Sequence, residues 1–256
     1  MSMTSTIRSQ RGFSLIELAV VLVVVGLMIG YLIIPLGSQS EKRYNVEAAR
    51  QLDQIRQALY GFAVANGRLP CPADPNSLGR ENPVGGSTPL IPCANGGRGF
   101  VPAATLGLSG AVNCDQLLTD PWGQPYRYSI TTSTTNVYSN QDPDGVSFAN
   151  LGGLMGTNNL QICPDAACAN SINDNAVAVI YSTGKNWANF TSANENENAG
   201  EANIASNCGL TNYGLSNDDR YVSRNQSRAA GQEFDDIIIW IPPTVLFNKL
   251  LDAGQL

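Results

Sequence analysis

From Phe13 to Ile34 the chain reads FSLIELAVVLVVVGLMIGYLII, twenty-two residues that are apolar apart from Ser14 and Glu17. As a helix such a run is about 33 Å long, enough to cross the hydrocarbon core of a bilayer. Its valines favour a strand in water. In lipid the backbone must satisfy its own hydrogen bonds, and helix wins. Arg8 and Arg11 precede the run with no acid beside them, which predicts an N-terminus on the cytoplasmic side and the remaining chain outside. An ordinary secretory signal fits poorly, because the run exceeds the usual apolar region and no A-x-A site follows it. A plain anchor fits no better. A carboxylate inside a spanning helix costs roughly 2.5–3.5 kcal/mol on insertion scales, so Glu17 needs a partner.

The formal charge is −6, and outside the first dozen residues the basic residues form no cluster beyond Lys42-Arg43. That argues against a nucleic-acid face. Histidine is absent, which removes Ser-His and Cys-His nucleophile pairs and imidazole metal ligands. The expectation is a protein that is not an enzyme. Six cysteines, Cys71, Cys93, Cys114, Cys163, Cys168 and Cys208, all follow the apolar run. An even number confined to the exported part predicts disulfides. A zinc site would need four thiolates, and only Cys163 and Cys168 are closely spaced. The most economical pairing is Cys71–Cys93, Cys163–Cys168 and Cys114–Cys208, one among several possible connectivities.

Beyond the run, Pro35 predicts an end or kink, and Gly37 weakens helix further. From 40 to 66 apolar residues return at helical spacing: Val46, Ala49, Leu52, Ile55, Leu59 and Phe62. That is an amphipathic helix stopped at Asn66-Gly67. A Pro/Gly-rich loop reaches about Gly99, and a short helix is expected within 100–107. Strands are expected at 125–131, at 176–181 (AVAVIY) and at 237–241 (IIIWI). A last helix, TVLFNKLLDAG, stops at Gly254. Residues 186–225 are rich in asparagine and contain ENEN, which reads as a long polar loop.

Arg11-Gly12-Phe13-Ser14-Leu15-Ile16-Glu17-Leu18 resembles the class III leader site of type IV prepilins and type II secretion pseudopilins. The resemblance implies cleavage between Gly12 and Phe13 by a membrane-embedded prepilin peptidase and N-methylation of Phe13. Residues 1–12 are then a leader, 13–36 a transmembrane and filament-core helix, and 37–256 a head that includes the amphipathic helix 40–66. Glycine suits the cut because its bare backbone can approach a protease site closely. In a filament the Glu17 carboxylate of one subunit would face the Phe13 ammonium of the next. At about 4 Å and an effective dielectric of 20 such a pair is worth roughly 4 kcal/mol, comparable to the burial cost. Glu17 then sets the assembly register.

Three further segments are similar to major pseudopilins: Asp120-Pro121-Trp122-Gly123-Gln124-Pro125-Tyr126, Ser182-Thr183-Gly184-Lys185-Asn186, and Asp235-Asp236-Ile237. In the first, Trp122 is read as a packing plug behind an Asp-Pro turn. The head is longer than a major pseudopilin's, carries six cysteines and has Asn186 where the family has an acid. The implied fold is α+β, a type IV pilin fold with a long N-terminal helix packed on a small antiparallel sheet and long disulfide-tethered loops. The implied function is a structural subunit, a minor pilin or pseudopilin of a type IV pilus or type II secretion filament. Its partners would be other pilin subunits, the prepilin peptidase and the inner-membrane assembly platform. Before assembly it would be a single-pass inner-membrane protein with a periplasmic head, and afterwards part of a periplasmic or extracellular filament. The alternative is a tip adhesin whose Asn-rich loop recognises a surface or cargo. Major pseudopilins also carry calcium near this loop, which implies a Ca²⁺ site drawing on Glu201, Asp218, Asp219 and Asp235, from a loop that also offers Glu195 and Glu197 with Asp236 at its exit, and with Asp142-Pro143-Asp144-Gly145 as a competing candidate.

Overall fold

In the computed structural model a single helix, α1, spans Leu15–Asn66, its valine-rich first half included. The structure describes residues 14–83, 93–131, 160–187, 190, 192–200, 202–204, 213–215 and 219–254, with backbone alone at 30–39, 202–204 and 213–215. Pro35 does not end the helix. The segments expected as two helices are one element, because a proline costs one ladder hydrogen bond while its neighbours keep theirs.

The chain divides into two units, Met1–Arg43 and Tyr44–Leu256. In the first, the described side chains from Ser14 to Ile29 are all exposed, Leu15 at 88% and Leu27 at 71%. Among the described residues no helix is long and apolar enough to cross a membrane.

In the second unit, α1 buries Ala48, Leu52, Ile55, Leu59 and Ala63, steps of three and four that line one helical face. Val46 and Ala49, expected in this stripe, are exposed. The buried face meets a four-stranded antiparallel sheet ordered β1 (Arg98–Phe100), β2 (Arg127–Ile130), β5 (Ala178–Ser182) and β9 (Ile237–Ile241). A second sheet, β4 (Asn173–Ala176), β3 (Leu160–Cys163) and β8 (Arg220–Val222), covers the other face of the first. Alternation decides which side chain goes where. Ala178, Ile180 and Ile241 pack with the α1 core, and Ile237 and Ile239 pack against it. Val179 and Tyr181 join Leu160, Ile162, Ala176 and Tyr221, with Ile238 and Trp240 against them. A strand covered on both faces has no reason to alternate polar residues, hence IIIWI. Burying each such side chain is worth about 1.5–3 kcal/mol.

Two expectations change here. The run at 176–181 is not one strand: Ala176 closes β4 in the second sheet, and β5 starts at Ala178. The sheet under α1 is antiparallel throughout, while the second sheet, not expected, pairs β3 and β8 in parallel. Residues 186–225 are not a loop. They contain α3 (Ala193–Ala199), β6 (Ala202–Ile204) paired with β7 (Tyr213–Leu215), and β8. Ser192 caps α3, its hydroxyl accepting from the Glu195 amide, so local chemistry overrides the low-complexity composition. The short helix α2 is Ala103–Leu106, and α4 (Pro243–Asp252) is the last helix, burying Leu246, Phe247 and Leu250.

Disulfides join Cys71 to Cys93 and Cys163 to Cys168, and Cys114 is disulfide-bonded as well. Cys208 lies outside the described residues. Beside the first bridge, Arg68 and Glu81 form a buried two-pronged ion pair at 2.8 Å, and Glu81 also accepts from the Cys71 amide.

Candidate functional site

The N-terminal helix begins immediately after Ser14, whose carbonyl accepts the Leu18 amide. Glu17 sits in its first turn with an exposed side chain. A carboxylate there is favoured by about 0.3–1 kcal/mol through the unpaired amides of the helix start. Around it Leu15, Ile16, Leu18, Val20, Val21 and Leu22 are all more than half exposed. A helix apolar all round is at home only in lipid or inside a large assembly. Gly12 and Phe13 lie outside the described residues.

The segments 120–126, 182–186 and 235–237 form one continuous polar network. The Asp120 carboxylate accepts from the amides of Trp122 and Gln124, both at 2.9 Å, and from Ser182 Oγ at 2.5 Å. Burial pushes its carboxyl up from the ordinary value, and these donors oppose that. Ser182 Oγ in turn accepts from the Gly184 amide at 3.2 Å. Gly184 has φ +65°, and a β-carbon there would collide with the Asp235 carboxylate. Asp235 Oδ2 accepts from the amides of Lys185 and Asn186 at 2.9 and 3.3 Å. Trp122 is half-buried and stacks edge-on against Tyr44 with ring centres 6.0 Å apart.

The network continues under α3. Asn186 Nδ2 donates to Glu195 Oε1 at 2.8 Å. Asn198, fully buried, pairs with both backbone groups of Val222 and donates to Asp236 Oδ2 at 2.7 Å. Its amide therefore covers the edge of β8 as another strand would. Arg127 donates to the Ala199 carbonyl at the C-terminus of α3 and lies over the Tyr181 ring. Glu195 Oε2, Asp236 Oδ1 and Asn186 Oδ1 are buried and accept no hydrogen bond among the described residues. Burial first, then the neighbouring charges of Asp235 and Glu195, push the Asp236 carboxyl well above the ordinary range.

Of the residues expected to hold calcium, Glu201 and Asp218 lie outside the described residues, as does 142–145. Asp219 is engaged by Arg98, and Asp235 by the 185–186 backbone. Among the described residues no group of three or more Asp, Glu, Cys or His could hold a metal ion. Sequence reasoning missed Arg127 and Asn198 as members of a buried centre and took Glu195 and Asp236 only as candidate calcium donors. One signal was present: Ser192-x-x-Glu195 is a capping-box pattern that marks a helix start. The network's hydrogen bonds tie these segments and α3 to one another.

Residues 7–33, 27 of the 256, match the family model of the prokaryotic N-terminal methylation motif. No curated protein and no solved structure matches the chain. The matched stretch holds Arg8, Arg11, the Gly12–Phe13 junction and Glu17, and the N-terminus is thus a class III prepilin leader with its methylation motif, which supports the type IV pilin-like family for this chain.

Proposed function

We propose that the chain is a minor pilin or pseudopilin. Prepilin peptidase cuts it after Gly12 and methylates Phe13, and it is polymerised through α1 in a type IV pilus or type II secretion filament. Before assembly the Phe13–Ile34 run crosses the inner membrane once, with the head outside the cytoplasm, and it meets the assembly platform there. The observation that carries the reading is the methylation motif at 7–33, which runs into a helix with apolar side chains exposed on every side. Such a helix is uncovered only while it awaits lipid or neighbouring subunits. Glu17 supplies the register, because a misplaced subunit leaves an unpaired carboxylate and an unpaired amine in apolar surroundings. The long cystine-braced head suits a specialised subunit better than the bulk one.

The alternative is a tip adhesin whose Asn-rich segment recognises a surface or cargo. Part of that segment is α3, whose Asn198 is held inside the head.

The test has two parts. The intact mass of protein extracted from filaments should place the N-terminus at a methylated Phe13. Glu17→Ala should insert into the membrane as well as the wild type and enter filaments at least tenfold less. Full incorporation of this variant, or a mature chain that keeps residues 1–12, would refute the reading.

A further inference from the structure

Among the described residues an open groove of about 400 Å³ lies between α1, the β9 edge and α4. Tyr60, Ile238, Trp240 and Val245 give it an apolar lining, and Arg56 and Lys249 give it positive charge. β9 is the last strand of its sheet. Arg56 pairs with Asp53 through one terminal nitrogen, but its Nε is buried with no acceptor. Lys249 has no acidic partner among the described residues, and Val245 is 39% exposed. The groove thus offers apolar contact and unused donors together, which suits a segment with one apolar and one acidic side chain.

Such a segment lies on the opposite layer of the same head. β4 is the outer strand of the second sheet. Ile172, immediately before it, is 51% exposed, and Asp174 two residues later is exposed with no cationic partner among the described residues. Ile172 sits at the bend that leads into β4 and Asp174 two positions on, so a surface laid along this edge meets both.

We propose that the groove receives the Ile172–Asp174 edge of a second copy of this chain, Ile172 against Trp240 and Val245, and Asp174 facing Lys249 and Arg56. The two surfaces differ and sit on different layers, so the contact is head-to-tail and repeats instead of closing into a dimer. That is the geometry a filament needs, and the inference rests on the filament reading above. The chain is acidic, −6 overall, so copies repel unless acid meets a cationic surface. Edge strands are where chains most readily add to one another.

Thiol cross-linking of the full chain in detergent tests this. Among the described residues every cysteine is in a disulfide and none is free, so an introduced thiol is the reactive one there. Val245→Cys protein mixed with Ile172→Cys protein should form dimers with a short bismaleimide, about tenfold more than either alone. Lys249→Glu in the first or Asp174→Lys in the second should reduce the yield several-fold, and both together should restore it. Equal dimer in the single-variant samples, no dimer in the mixture, or indifference to charge reversal would overturn the contact. Its failure is separable from failure of the filament reading: Glu17-dependent incorporation would survive the loss of this contact.

Discussion

Ser182 Oγ donates to Asp120 Oδ2 at 2.5 Å across 62 positions of sequence, joining the Asp-Pro-Trp-Gly turn to the end of β5. Both side chains are buried. Ser182→Ala leaves a buried carboxylate oxygen short of its donor, which should cost about 1–3 kcal/mol. Asp120→Asn keeps the shape and should cost less. Urea unfolding of the purified chain in detergent measures both, and an unchanged midpoint for Ser182→Ala would show that the hydrogen bond contributes nothing net.

Gly184 and Gly107 both have positive φ, +65° and +66°, but only Gly184 faces a close neighbour. Gly107→Ala should lose only the backbone preference, about 1–2 kcal/mol. Gly184→Ala meets that cost plus collision with Asp235 and should be clearly worse. Equal losses in thermal melting would mean that Asp235 yields freely.

Arg68 and Glu81 are 2% and 4% exposed and bonded at two points. Glu81→Gln strands a buried guanidinium charge and should cost about 3–5 kcal/mol. Replacing both by methionine removes both charges and should recover most of that stability. A double variant no better than Glu81→Gln would place the loss in the Cys71 amide contact instead.

The Asp236 carboxyl is raised in the folded head, so the folded state holds a proton that the unfolded chain releases near pH 4. Its contribution is fully present below that pH and is lost as pH rises toward the folded value. Stability of the head should therefore decline with rising pH in this window. Asp236→Asn, which mimics the neutral acid, should flatten the decline and raise the melting midpoint at pH 7. A profile identical to wild type would remove Asp236 as its source.

Much of the frame was legible in local pattern. The stripe Leu52, Ile55, Leu59 gave the buried face of α1, the run IIIWI matched β9, and TVLFNKLLD matched most of α4, because helix and strand periodicities report which faces meet a core. Other features were not. AVAVIY is uniformly apolar whether one strand or two run through it, and only the position of the second sheet breaks it at Val177. Asparagine and glutamate at 193–199 look like solvated loop until Val222 and Asp236 offer Asn198 its partners.

The sequence by itself determined the match to the methylation motif at 7–33 and the expectation that Glu17 finds a partner, since charge and apolar length act through near neighbours in the chain. Tertiary structure alone decided that Asp120, Ser182, Gly184 and Asp235 form one network and that Glu195 and Asp236 share a buried centre. Those relationships join residues up to 62 positions apart. No residue's own propensity encodes them, because a carboxylate's partners are set by which strands and loops the two cores bring within a few ångströms of it.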